Sequence, residues 1–172
     1  MDLKNYIAAV QDWPIKGVSF KDVTPLLKNG PAFHDAIQSL AKIVNRYQPD
    51  VIVSPEARGF IFGGAVASQL KIPFVLVRKA GKLPRKAIEE KFTLEYGQTS
   101  LFMHEDAIQK GQRVLILDDV LATGGTSVAI ANLVKRLGGN VISFTFLINL
   151  TYLPGEAKLK QHGFPVDFVL SY

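Results

Sequence analysis

Short apolar runs alternate with stretches in which apolar residues recur every three or four positions, the pattern of strands wrapped by amphipathic helices. Asn29-Gly30-Pro31 reads as a helix start with proline in the first turn, and Phe33, Ile37, Leu40, Ala41 and Val44 follow at helical spacing up to Pro49. Val51–Ser54 is then a short buried strand, Gly59–Leu70 a helix whose Gly63, Gly64 and Ala65 permit close packing, and Pro73–Val77 the next strand. Strand Arg113–Leu117, helix Thr126–Leu137 stopped by Gly138-Gly139, and strand Val141–Ile148 repeat the unit. Two strand-helix-strand units predict an α/β fold with a mostly parallel sheet. Lys79–Gly97 has no clear period and is long for a connection, so it is expected to be a mobile functional loop.

A chain of 172 residues with 48% hydrophobic content supports one substantial core and a single domain. The absence of cysteine excludes disulfides and thiolate metal sites and favours a reducing compartment, the cytoplasm. The charged N-terminus lacks the pattern of a signal peptide, and the longest apolar candidate, Val141–Leu153, is interrupted by Ser143, Thr145, Asn149 and Thr151, so no membrane partner is expected. The net charge of +5 suits an anionic partner, a polyphosphate or a nucleic acid. Arg78, Lys79, Lys82, Arg85, Lys86 and Lys91 concentrate that charge in and beside the long loop, opposed there by Glu89 and Glu90.

The most informative stretch is Val114–Ser127: an apolar strand, the acids Asp118 and Asp119, then Ala122-Thr123-Gly124-Gly125-Thr126 leading into a helix. In an open α/β sheet, ligands bind beyond the carboxyl ends of the strands, which puts both acids at an exposed strand end where they can accept from sugar hydroxyls. Gly124 and Gly125 can turn successive N–H groups inward at a helix N-terminus, with the Thr123 and Thr126 hydroxyls beside them, making a phosphate cradle. No lysine follows the glycines, so this is not the nucleotide P-loop.

This run resembles the phosphoribosyl pyrophosphate motif of the type I phosphoribosyltransferases. Gly17–Asp22, Pro55–Phe60, Arg78–Pro84 and Leu94–Gly97 are similar, in order and separation, to the adenine-specific branch. The resemblance implies that family's fold, with a small base-binding hood, drawn from about residues 1–30 and 150–172, and a flexible catalytic loop. It implies transfer of a phosphoribosyl group to adenine, giving AMP and pyrophosphate, with Mg²⁺ held mainly by the substrate, and a homodimer. Asp118 and Asp119 would hold the ribose hydroxyls, and Ala122, Thr123, Gly124, Gly125 and Thr126 the 5′-phosphate. Arg58 and the Glu56-Ala57 peptide, expected to be cis, would bind pyrophosphate together with Lys79 and Lys82. Phe20 and Leu150 would face adenine from its two sides, with the backbone near Ser19 matching its N1 and N6. Glu95, flanked by Tyr96, would contact N7 and assist proton transfer.

Many relatives carry a glutamate where this chain has Asn149. Lys21 at the base edge keeps a 6-oxopurine substrate open, and a regulatory protein sensing phosphoribosyl pyrophosphate is a second alternative. No added DNA-binding segment supports the latter, so no nucleic-acid partner is expected. His34, His104 and His162 share no spacing and receive no role.

Overall fold

The computed structural model describes residues 1–94 and 97–172. The chain forms two compact units, Met1–Ser39 and Leu40–Tyr172.

In the first unit a 3₁₀ turn, Leu3–Tyr6, leads into an antiparallel ribbon of β1 (Ala8–Gln11) and β2 (Ser19–Asp22). The ribbon opposes Val10 to Phe20 and Gln11 to Ser19. Trp13 meets the Phe20 ring edge-on with centroids 4.6 Å apart. Helix α1 (Thr24–Lys28) follows, and α2 (Gly30–Tyr47) begins at the expected place, the Asn29 side chain accepting from the Ala32 N–H at 3.0 Å. Ile37, Leu40, Ala41 and Val44 are buried along α2, as their spacing requires.

The second unit holds a five-stranded parallel sheet in the order β4-β3-β7-β8-β9, where β3 is Val51–Pro55, β4 Phe74–Val77, β7 Arg113–Leu121, β8 Asn140–Asn149 and β9 Val166–Ser171. Helices α3 (Arg58–Leu70) and α4 (Gly125–Arg136) are the two expected crossovers. Phe62 and Val66 of α3 and Ile130, Leu133 and Val134 of α4 are buried, as are Val53, Ile116, Phe144 and Phe146 of the sheet. Burying a side chain of this size is worth roughly 1.5–3 kcal/mol, so the alternation of strands and helices is fixed by the core. Helix α5 (Gly155–Gln161) and strand β9 extend the sheet beyond the sequence-based expectation.

β7 is longer than its neighbour β3. The two pair only from Val114 to Ile116, whereas β7 and β8 stay paired through Leu121↔Asn149. Past Ile116 the chain of β3 turns away toward α3, and this parting opens the crevice at the carboxyl ends of the strands.

The segment expected to be an aperiodic loop is irregular over residues 79–86 but continues as a strand from Ala87. β5 (Ala87–Leu94) and β6 (Gly97–His104) form an antiparallel ribbon in unbroken register from Ala87↔His104 to Leu94↔Gly97. Its period of two was hidden by Glu90, which shares a face with Ile88 and Phe92 where an apolar residue is expected. The partners that satisfy Glu90 are distant in sequence: Asn132 donates to it at 2.9 Å and Arg136 at 3.2 Å, both from α4.

Candidate active site

One cavity of about 260 Å³ opens at the parting of β3 and β7, lined by Pro55–Arg58 on one side and Asp118–Ser127 on the other. These elements bring together Glu56, Ala57, Arg58, both acids and the whole of Ala122–Thr126, as the sequence led one to expect, and add Pro55, Val120, Leu121 and Ser127. The Glu56-Ala57 peptide is cis.

Helix α4 begins one residue earlier than expected, and neither threonine caps it. Its N-cap is Gly124, in the left-handed region at φ 82°, with no side-chain cap bond. A glycine there avoids the penalty a side chain would incur, and the first-turn N–H groups, which lack intrahelical acceptors, face the cavity with the positive end of the helix dipole. An anion of phosphate size fits such a turn.

Asp119 is only 4% exposed, not at an open strand end as the sequence suggested. The reason is Arg58, whose Nε lies 2.7 Å from Asp119 Oδ2 and covers it. Asp118 accepts the Asp119 N–H at 2.8 Å and packs so closely against the start of α3 that a Cβ on Gly59 would stand 2.8 Å from its Oδ1. Burial, reinforced by the Asp119 charge, pushes the Asp118 carboxyl well above the ordinary carboxylate range. Burial raises Asp119 as well, against the opposing pull of Arg58. The cavity is therefore an anion-attracting turn on one side and, on the other, two acids held beside a single guanidinium.

The Glu56 side chain turns away from the acids and fixes the chain after β4. It accepts from the Lys79 N–H at 2.8 Å and from Arg78 Nε at 3.2 Å, and the Lys79 N–H above all holds its carboxyl below the usual range. Arg78 in turn donates to the Lys82 carbonyl at 3.4 Å. The two expected loop lysines are thus tied by their backbones to the cavity wall while their side chains are exposed. Sequence reasoning had given Glu56 only a backbone role; the signal it missed was an acid 23 residues before the amide it anchors.

Phe20 and Lys21 lie on β2, with Lys21 Nζ 3.3 Å from Ser19 Oγ. Leu150 is buried just beyond β8. Asn149 is also buried and donates to Glu156 at 2.6 Å. Glu95 and Tyr96 lie outside the described residues. Among the described residues no cluster of three histidine, cysteine or acidic side chains can hold a metal ion, and no helix is long and apolar enough to cross a membrane.

The model of the phosphoribosyl transferase domain matches residues 26–166. The adenine phosphoribosyltransferase of Thermotoga sp. (strain RQ2) is 51% identical over 172 residues, covering the whole of both chains. The chain belongs to the adenine phosphoribosyltransferase family. A relative of the same name from Brevibacillus brevis is 48% identical, again over the full length of both chains. Among solved structures, the adenine phosphoribosyltransferase of Thermoanaerobacter pseudethanolicus superimposes with a TM-score of 0.95 at 47% identity, covering 99% of this chain and 98% of the other. The Saccharomyces cerevisiae enzyme, complexed with an imino-altritol bisphosphate and adenine, gives 0.90 at 35% identity over 98% and 97% of the two chains.

Proposed function

We propose that this cavity binds 5-phosphoribosyl pyrophosphate and transfers its phosphoribosyl group to adenine, yielding AMP and pyrophosphate for purine salvage. The observation that carries the proposal is the seating of Asp118, Asp119, Arg58 and the Gly124 turn around a single cavity. The turn at Ala122–Thr126 takes the 5′-phosphate, the two acids take the ribose hydroxyls, and Arg58 with the Glu56-Ala57 peptide takes the pyrophosphate. A guanidinium offers paired donors to phosphate oxygens as charge builds on the leaving group. Lys79 and Lys82 add cations from the edge of the cavity. The assignment of the base to Phe20 and Leu150, and of its N1 and N6 to the backbone at Ser19, follows the family resemblance. Glu95 is assigned to N7, with Tyr96 next to it in the sequence.

Mg²⁺ would be held mainly by the oxygens of phosphoribosyl pyrophosphate itself, with few ligands from the chain, and would neutralise charge on the leaving group. The protein works as a homodimer in the cytoplasm.

The deciding experiment is a turnover screen of adenine, hypoxanthine, guanine and xanthine with phosphoribosyl pyrophosphate and Mg²⁺. Adenine is expected to be preferred; faster turnover of a 6-oxopurine would overturn the base assignment and point to Lys21 as the residue that reads it.

Replacing Arg58 with alanine is expected to weaken phosphoribosyl pyrophosphate binding and leave adenine binding unchanged. Losing a charge-assisted contact costs about 1.5–3 kcal/mol, roughly a 10- to 150-fold rise in Kd. Because Arg58 also opposes the rise of the Asp119 pKa, the acid limb of kcat/KM should move to higher pH in this variant. Calorimetry showing equal losses for both ligands would refute the division of labour.

A further inference from the structure

The phosphate-binding turn does not stand alone. Its outer side rests on the first turn of α5, where the Gly155 N–H donates to the Ala122 carbonyl at 3.0 Å. The approach is close enough to exclude any side chain. A Cβ on Gly155 would stand 2.3 Å from the Ala122 carbonyl oxygen and 2.8 Å from Leu121 Cδ1. The contact is mutual, since a Cβ on Gly124 would lie 3.2 Å from Gly155 Cα and 3.3 Å from its carbonyl oxygen. The α5 turn is itself pinned to the sheet, because Asn149 at the end of β8 donates to Glu156 at 2.6 Å and Lys160 holds the other carboxylate oxygen at 2.6 Å.

We propose that Gly155 is a positioning residue for phosphoribosyl transfer: the α5 turn, closed on Ala122 at the buried Gly155 and pinned through Glu156 to Asn149, sets the height of the Ala122 carbonyl and so aims the N–H groups of the Gly124 turn at the 5′-phosphate. The physical basis is that hydrogen bonds weaken steeply with misalignment, and those made to an anion are the strong ones, so a displaced turn loses most where it meets the phosphate. A methyl group on Gly155 has only two ways to relieve a 2.3 Å contact, and both displace the cradle or α5. This inference rests on the assignment of the Ala122–Thr126 turn to the 5′-phosphate.

The test is the ratio of AMP to adenosine affinity, measured by calorimetry for wild type, Gly155→Ala and Glu156→Ala. The two ligands differ only in the phosphate that the turn receives. In wild type AMP is expected to bind much the tighter. Gly155→Ala should lower AMP affinity at least about tenfold while adenosine affinity stays within about twofold, and KM for phosphoribosyl pyrophosphate should rise without a matching rise in KM for adenine. Glu156→Ala, which unpins the turn without adding an atom, should lower the ratio at least about threefold, and it decides the question if Gly155→Ala does not fold. A wild-type ratio in both variants, or in Glu156→Ala alone if the other is insoluble, would overturn the positioning role. Absence of any AMP preference in wild type would instead overturn the assignment of the turn to the phosphate.

Discussion

Asp119→Asn is expected to lower kcat/KM for phosphoribosyl pyrophosphate by about tenfold with only a small change in thermal stability. The kinetic loss follows from exchanging a charge-assisted hydrogen bond, worth about 1.5–3 kcal/mol, for a neutral one worth about 0.5–1.5 kcal/mol. The small stability change follows from two opposing terms. The amide loses the ion pair that Arg58 makes with Asp119 at 2.7 Å, but it also avoids burying a carboxylate whose pKa is already raised by that burial. The sign is set by linkage. Because the folded-state pKa lies above the unfolded one, the acid favours the folded state most at pH below its unfolded pKa, and that benefit disappears as pH rises through the folded value. At neutral pH the native acid pair is therefore a cost that the variant partly relieves. The pH profile gives a second reading. In wild type, kcat/KM should fall on acidification with an apparent pKa above the ordinary carboxylate value of about 3.9, a property of the coupled pair. Removing the Asp119 charge removes one of the causes raising Asp118, so the acid limb should move to lower pH. An unchanged kcat/KM, or an acid limb that stays in place, would sink the assignment of the pair to the ribose.

Glu95→Gln should slow the chemical step by about 10² to 10⁴ with phosphoribosyl pyrophosphate affinity nearly intact, the range expected for lost general acid–base help. Adenine must lose its N9 proton on the way to AMP, and a carboxyl group at N7 stabilises the reacting tautomer. Glutamine keeps the length and a hydrogen-bonding group but cannot titrate. The Arg58, Asp119 and Gly124 contacts survive the change, so the loss should appear in rate and not in binding. Single-turnover mixing is the measurement to use, since steady-state turnover hides a slowed chemical step when product release is limiting. Wild-type single-turnover rates across the pH range would leave Glu95 without a catalytic part.

The parallel sheet, its two crossovers and the cavity wall from Asp118 to Thr126 were legible in the sequence because each is continuous: an apolar run, an acid pair and a glycine turn follow one another without a break. What was not legible depends on partners far away in the chain. Glu90 disguised the β5–β6 ribbon because Asn132 and Arg136, which satisfy it, lie 42 and 46 residues on. Asp119 was read as exposed because nothing near it in sequence announces Arg58. Nothing in the sequence singles out Gly155, since its closest neighbour, the Ala122 carbonyl, becomes visible only in three dimensions.

The cavity is lined wholly by residues from Pro55 to Ser127, all within the Leu40–Tyr172 unit, whereas Ser19, Phe20 and Lys21 belong to Met1–Ser39. On the proposed assignment, the residues that activate the sugar and those at the base edge of the ribbon fall in separate stretches of the sequence. Substitutions at Ser19 or Lys21 should then shift the preference among purines while leaving phosphoribosyl pyrophosphate affinity unchanged.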